Sequence, residues 1–153
     1  MGSRICTRTM EINDLAGVFA LGNKIYKPGD QGPFHWNENT IADILCRDMG
    51  LSLVAARKKE ITGFLIASKN DGAPPVATIF WLAVTEGLKN SGIEEMLLSA
   101  LGERLMELNI PVMEFTLEEN NGEMKKILGE KGFTENKRYL SMQLKLSHYQ
   151  KKI

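Results

Sequence analysis

The chain has 153 residues, 43% hydrophobic and 25% charged, with 19 Lys plus Arg balanced by 19 Asp plus Glu. That length suits one domain, residues 1–153, with room for a real core. The zero net charge removes the basic excess that nonspecific nucleic-acid or anionic-membrane binding needs. Cys6 and Cys46 lack CxxC spacing and read as buried or half-buried free thiols in a reducing compartment. No basic-then-apolar leader appears, and no apolar run approaches the ~20 residues of a membrane span, so a cytoplasmic protein is expected.

Residues 4–10, RICTRTM, read as a first strand, and the stretch from Asp14 reads as a helix with apolar residues at 15, 18, 19 and 25. Lys27 to Phe34 is rich in Gly and Pro and is expected to be a loop. Asn37 or Asn39 can then cap a second helix whose Ile41, Ile44 and Leu45 share a face. Two β-rich runs flank Arg57-Lys58-Lys59-Glu60, which predicts an antiparallel hairpin. After a turn at 70–75, VATIFWLAV (76–84) is apolar on both faces, as a central strand buried on both sides should be.

Ile93, Met96, Leu97, Ala100, Leu101, Leu105 and Leu108 repeat at helical spacing, and Asn109 with Pro111 ends that helix. VMEFTL (112–117) predicts a further strand, and Met124, Ile127 and Leu128 share the face of a short helix closed by Gly132 and Phe133. In YLSMQLKL the apolar Leu140, Met142, Leu144 and Leu146 alternate with Ser141, Gln143 and Lys145, which predicts a last strand. The order β-α-α-β-β-β-α-β-α-β describes a mixed α/β domain, with hairpins in its first half and a crossover helix in its second.

The segment VTEGLKNSGIEEMLL (84–98) joins the central strand to the long helix through two glycines. Gly87 to Gly92 supplies the G-x-x-x-x-G of a phosphate loop, but Ile93-Glu94 stands where Lys-Ser/Thr would contact phosphate and Mg²⁺. A GxGxxG fingerprint is also absent. What remains is a strand, a polar loop and a helix start whose free N–H groups can attract an anion.

WLAVTEGLKNSGIEEMLLSALGERLMELNI resembles the acyl-CoA-binding motif of the GNAT superfamily of N-acyltransferases. Leu82-Ala83-Val84 matches that family's strand end. Lys89 to Glu94 falls on its six-residue loop, with Lys89 in place of Gln/Arg, Gly92 kept and Glu94 replacing a small residue. Asn121 followed by Gly132-Phe133 is similar to the second family signature, and the element order matches from about residue 4 to residue 146. The resemblance implies a GNAT-like fold with splayed central strands and acetyl-CoA as cosubstrate. By it, Leu82 and Val84 contact pantetheine, and Lys89, Asn90, Ser91, Gly92 and Ile93 cradle the pyrophosphate. It also places Asn121 among the cofactor-binding residues. Homodimers are common among such proteins, so it allows one here.

Two positions depart from the pattern. Glu94, and less so Glu95, would face the ligand's negative charge, where a carboxylate competes for the helix N-terminus. Leu128 stands where many family members carry a tyrosine that protonates the CoA thiolate; Tyr26 and Tyr139 are replacement candidates, though packing is the simpler role for each. The central strand holds no carboxylate, so Glu86 and Glu114 are the nearest substitutes for a general base, and Glu114 is the better placed in mid-strand. Its simpler role is a solvent-facing strand residue. His35, beside Trp36, is a second base candidate; in the simpler reading Trp36 packs beneath the loop and His35 is exposed. The expected activity is transfer of an acetyl group to a small-molecule or peptide amine. The alternative is a noncatalytic GNAT-like domain binding a small molecule or a protein.

Overall fold

The computed structural model describes residues 4–26 and 35–148, so the loop expected at 27–34 lies outside the described residues. Five strands form one sheet: β1 (Cys6–Thr9), β2 (Leu53–Arg57), β3 (Glu60–Lys69), β4 (Val76–Val84) and β5 (Val112–Phe115). They lie in chain order, antiparallel up to β4, with β5 parallel to β4. The parallel step requires a crossover, supplied by α3 (Ile93–Glu107). Helices α1 (Leu15–Ile25) and α2 (Glu38–Asp48) precede β2, and α4 (Gly122–Glu130) follows β5.

The two faces of the sheet carry separate cores. Phe64 and Ile66 of β3 join Trp81 and Ala83 of β4 beneath α1 and α2, where Val18, Leu21, Ile41, Ile44 and Leu45 are buried. Leu65 and Ala67 join Ala77, Ile79, Leu82 and Val84 against α3 and α4, where Leu97, Leu98, Leu101, Ile127 and Leu128 are buried. The parity of β4 therefore changes, odd positions facing α3 before Phe80 and even ones after it. A bulge causes this: Ile66 pairs Trp81 while the next residue, Ala67, pairs Ile79, leaving Phe80 extra.

Local chemistry explains the boundaries. Lys58, at φ 56°, and Lys59 make the two-residue turn of the β2–β3 hairpin. The Asn37 side chain caps α2 by accepting from Thr40 N–H at 2.8 Å. Asn109, at φ 59°, ends α3 with bonds from its own N–H to Met106 O and from Ile110 N–H to Leu105 O. Gly132 and Phe133 close α4 the same way, donating to Gly129 O and Leu128 O.

Two expectations are corrected. Cys6 and Cys46 are both exposed, since β1 is an edge strand and Cys46 lies on the outer face of α2. The final strand does not form: residues 133–145 are non-helical, unpaired and largely exposed. Asn136 is bonded to Glu114 and Arg138 to Glu119, and these contacts lead the chain off the end of the sheet.

Candidate functional site

The β4–β5 ladder runs from Val76↔Val112 to Ile79↔Phe115 and stops there. β4 continues for five more residues, Phe80 to Val84, with no β5 partner. The bulge at Phe80 stands where pairing ends, because a bulge bends and twists its strand away from a neighbour. The two central strands are thus splayed, and the freed segment is the expected Leu82-Ala83-Val84.

The loop after β4 makes a short 3-10 turn, Glu86–Leu88, before α3. Thr85 N–H donates to Thr62 O at 2.8 Å and pins the loop to the hairpin of β3. Lys89 N–H and Ser91 N–H turn inward to Glu86 O and Leu88 O, so these two do not offer their backbones to a ligand. Asn90 adopts φ 63° and Gly92 φ 93°. A side chain at 92 would meet no atom within 4 Å, so the backbone conformation is the reason for glycine there.

Gly92, Ile93, Glu94 and Glu95 donate no backbone hydrogen bond, whereas Met96 N–H already returns to Gly92 O. Four consecutive N–H groups at the start of a 15-residue helix therefore lack acceptors. No side chain caps this end. With the macrodipole behind them, free N–H groups of this kind are what a helix start offers to an anion. Of the residues expected to cradle a pyrophosphate, 89–93, Gly92 and Ile93 keep free N–H groups, and Glu94 and Glu95 beyond them do too.

Side-chain charges compete at this end. Lys89 Nζ pairs with Glu86 Oε2 at 3.1 Å, an exposed ion pair worth at most about 1 kcal/mol and easily exchanged for a phosphate. Glu94 is only 5% exposed, and the Oε2 atoms of both Glu94 and Glu95 are buried without a partner. A buried carboxylate oxygen lacking a donor costs about 1–3 kcal/mol. Glu94 is thus a buried charge at this helix end rather than a surface one.

An aromatic wall flanks the freed part of β4. Trp36 stacks on Tyr26 with ring centroids 5.2 Å apart, tilts on Phe64 at 5.4 Å and meets Trp81 edge-on at 5.5 Å. Its Nε1–H donates to Asn23 Oδ1 at 2.8 Å. So supported, Tyr26 donates its hydroxyl to Leu82 O at 3.3 Å, on the segment of β4 with no β5 partner. Burial holds that hydroxyl above the ordinary tyrosine range, so it keeps its proton at neutral pH.

The other candidates are more scattered. Glu114 is half-buried, in register with Thr78 one residue before the last β4–β5 pair, and accepts from Asn136 Nδ2 at 3.4 Å. His35 is exposed while Trp36 packs, as the simpler reading has it. Asn121 caps α4, its Oδ1 accepting from Met124 N–H at 3.2 Å. Leu128 is buried in the α3-side core, and Tyr139 is 71% exposed. No hydrogen bond among the described residues joins His35 or Glu114 to the loop at 89–93. A shallow depression bounded by Asp48, Lys69, Arg104 and Leu108 lies near the opposite end of the sheet from the splay.

The Acetyltransferase (GNAT) family matches residues 19–133, well over half of the chain. The chain belongs to the GNAT family. Solved structures agree on the fold. Aminoglycoside N-acetyltransferase AAC(6')-Iy in complex with CoA aligns at 22% identity and a TM-score of 0.75, over 94% of this chain and 97% of that one. The NatC complex bound to Gag peptide and CoA gives 15% identity and 0.76, over 88% and 87%. Arabidopsis thaliana Naa50 with the bisubstrate analogue CoA-Ac-MVNAL gives 16% and 0.71, over 87% and 85%. No curated protein matches the sequence significantly. Among the described residues, no helix is long and apolar enough to cross a membrane, and no group of three or more His, Cys, Asp or Glu could hold a metal ion.

Proposed function

We propose that the chain is one domain that moves an acetyl group from acetyl-CoA to a small-molecule or peptide amine in the cytoplasm. The observation that carries this is the splay beyond Ile79 and Phe115, combined with the unclaimed N–H groups of Gly92 to Glu95 on the adjoining helix. Extended backbone at Leu82–Val84 suits an amide-bearing pantetheine arm, and the helix start suits two linked phosphates. Lys89 would leave Glu86 to add a point charge, with Asn90 and Ser91 lining the mouth of the loop. Asn121 caps α4 and would reach the cofactor, if at all, through the helix end it steadies. Two exposed free thiols accord with a reducing compartment.

The bound cosubstrate supplies an activated acyl thioester. The chain's own part is to orient the amine, remove its proton and protonate the departing sulfur. Leu128 cannot donate a proton, and Tyr26 can: its hydroxyl is protonated at neutral pH and stands on the Leu82 carbonyl at the splay. Glu114, beside the floor of the splay, is the better base, and His35 the alternative, either of them reaching the amine directly or through a water.

A noncatalytic ligand-binding domain is the competing reading, favoured by the buried, unpartnered carboxylate of Glu94 at the anion site. Isothermal titration with acetyl-CoA, followed by a free-thiol assay over a panel of amines, separates the two. Heat on titration and CoA release with any amine support the enzyme. Heat without release over the whole panel supports the binding domain, and no heat at about millimolar ligand removes the enzyme and leaves a noncatalytic domain for another small molecule or a protein.

A further inference from the structure

The bulge that ends the β4–β5 ladder also decides which side chains stand at the opening. Ile79, in the last pair, belongs to the α3-side core. Phe80, the extra residue, packs instead against the α1 and α2 core beside Trp81, their ring centroids 5.9 Å apart. A regular strand would send two successive side chains to opposite faces, so the bulge is what sets these two rings together. Tyr26 and Trp36 stand over the same freed stretch of β4, through the Tyr26 bond to Leu82 O and the contact of Trp36 with Trp81. Tyr26, Trp36 and Phe80 are each half-buried, so all three keep some ring surface open.

The rings and the helix start lie on opposite faces of the sheet. The side chains of Leu82 and Val84 belong to the α3 face, and those of Trp81 and Ala83 to the face covered by α1 and α2. A cosubstrate anchored at the start of α3 and laid back along β4 from Val84 brings its acyl end to Phe80, where the strands part. An acceptor approaching from the α1 and α2 face then meets the rings. Tyr26 and Trp36 bond to the Leu82 carbonyl and to Asn23, both uncharged, and the side chains packed around them are apolar. Glu114, in register with Thr78 on β5, is the nearby carboxylate. One carboxylate can serve one amine. A second ammonium brought against the rings would lose its water with no counter-charge to replace it, which is costly.

We infer that the acceptor is a primary amine on an apolar carrier, aromatic or branched aliphatic, with no second positive charge. The inference rests on the acetyl-transfer reading and narrows it to one substrate class. Phe80 and Trp36 seat the carrier and keep water from the amine while it reacts. The ammonium gives one proton to water on entering. As its nitrogen bonds to the acetyl carbon, a second proton goes to Glu114. The carbon–sulfur bond breaks, its electron pair stays on sulfur, and Tyr26 supplies the proton that makes the free thiol. Solvent then returns Glu114 and Tyr26 to their starting states.

The test is a free-thiol assay on the full chain, with acetyl-CoA binding measured separately by titration calorimetry. The apolar amines are 2-phenylethylamine, 3-methylbutylamine and a tripeptide with N-terminal phenylalanine; the polycations are spermidine and kanamycin. The apolar set should show kcat/KM at least about tenfold above the polycations, and whether the free amines or the tripeptide lead tells a small-molecule carrier from a peptide end. Phe80→Ala should lower kcat/KM for the apolar amines at least about tenfold, mostly through KM, with acetyl-CoA affinity and the far-UV spectrum unchanged, and Phe80→Leu should recover most of the loss. Should Phe80→Ala lose the wild-type spectrum, the wild-type ratio decides alone. Polycations acetylated as well as or better than the apolar amines overturn the inference and leave the enzyme standing. So does a folded Phe80→Ala that keeps the full preference. Heat with acetyl-CoA but no thiol from any amine removes the acetyl-transfer reading, and the inference with it.

Discussion

Gly22 lies beneath the indole of Trp36, and replacing it with alanine tests whether the aromatic wall is as rigid as its geometry requires. A Cβ on residue 22 would stand 1.8 Å from Trp36 Cζ2, 2.3 Å from Cη2 and 2.5 Å from Cε2. The ring has nowhere to go. Tyr26, Phe64 and Trp81 hold it with centroids 5.2, 5.4 and 5.5 Å away, and Asn23 holds its Nε1. Overpacking costs about 1–3 kcal/mol, and expelling the ring also forfeits a hydrogen bond of about 1 kcal/mol and aromatic contacts of about 0.5–1.5 kcal/mol each. Alanine returns about 1 kcal/mol of helix propensity in α1. The net loss for Gly22→Ala should be about 2–3 kcal/mol, read by urea unfolding followed by far-UV circular dichroism. In a Trp36→Ala background the obstacle is gone, and the same substitution should stabilise by up to about 1 kcal/mol. A loss below about 1 kcal/mol in the wild type, or an equal loss in both backgrounds, would refute the reasoning.

Glu94→Gln keeps the shape of the side chain and removes its charge from the anion site, so it should tighten acetyl-CoA binding about two- to fivefold by titration calorimetry. Tyr26→Phe should lower kcat by about 100-fold, with KM for acetyl-CoA nearly unchanged, if the hydroxyl protonates the departing thiolate. The same hydroxyl is held above its ordinary range by burial, so its contribution to stability is fully present below the unfolded value of about 10 and is lost as pH rises beyond it. Chemical denaturation between about pH 8 and 11 should therefore show a steeper alkaline decline for the wild type than for Tyr26→Phe. Arg8 donates to both oxygens of buried Asp14, at 2.7 and 2.8 Å, and this bond lowers the Asp14 pKa despite the opposing effect of burial. Its contribution is present above about pH 3.9 and is lost as pH falls through the depressed native value, so Asp14→Asn should cost about 1–2 kcal/mol at neutral pH, with the gap closing in acid unfolding curves.

The strand-to-helix turn at 89–94 is legible in the sequence from Gly92 and the preceding Leu-Ala-Val, because such a turn needs a particular chain path more than particular side chains. Which N–H groups are free was not recognisable. Lys89 and Ser91 spend theirs inside the turn, and a linear pattern does not show that. The sequence leaves Tyr26 between a replacement acid and a packing residue, and Trp36 between substrate contact and packing. Their positions over β4 follow from α1 crossing the sheet, which brings Tyr26 to a carbonyl 56 residues away. Glu94 is a negative charge at a helix start by sequence, and its burial sharpens the conflict with an anion there.

By itself the sequence determined the elements whose causes are local. β4 spans Val76–Val84 as its apolar run predicted, and Asn37, Asn109 and Gly132 stop or start helices where their side chains or backbones allow. Periodicity and capping act over a few residues, so they are written in the order of the chain. Tertiary structure alone decided the bulge at Phe80, the splay it opens and the aromatic wall over Leu82. It also decided the fate of the last strand. Residues 139–146 have the alternation of a strand, but a strand exists only when another backbone accepts its hydrogen bonds, and that partner is set by the path of the whole chain.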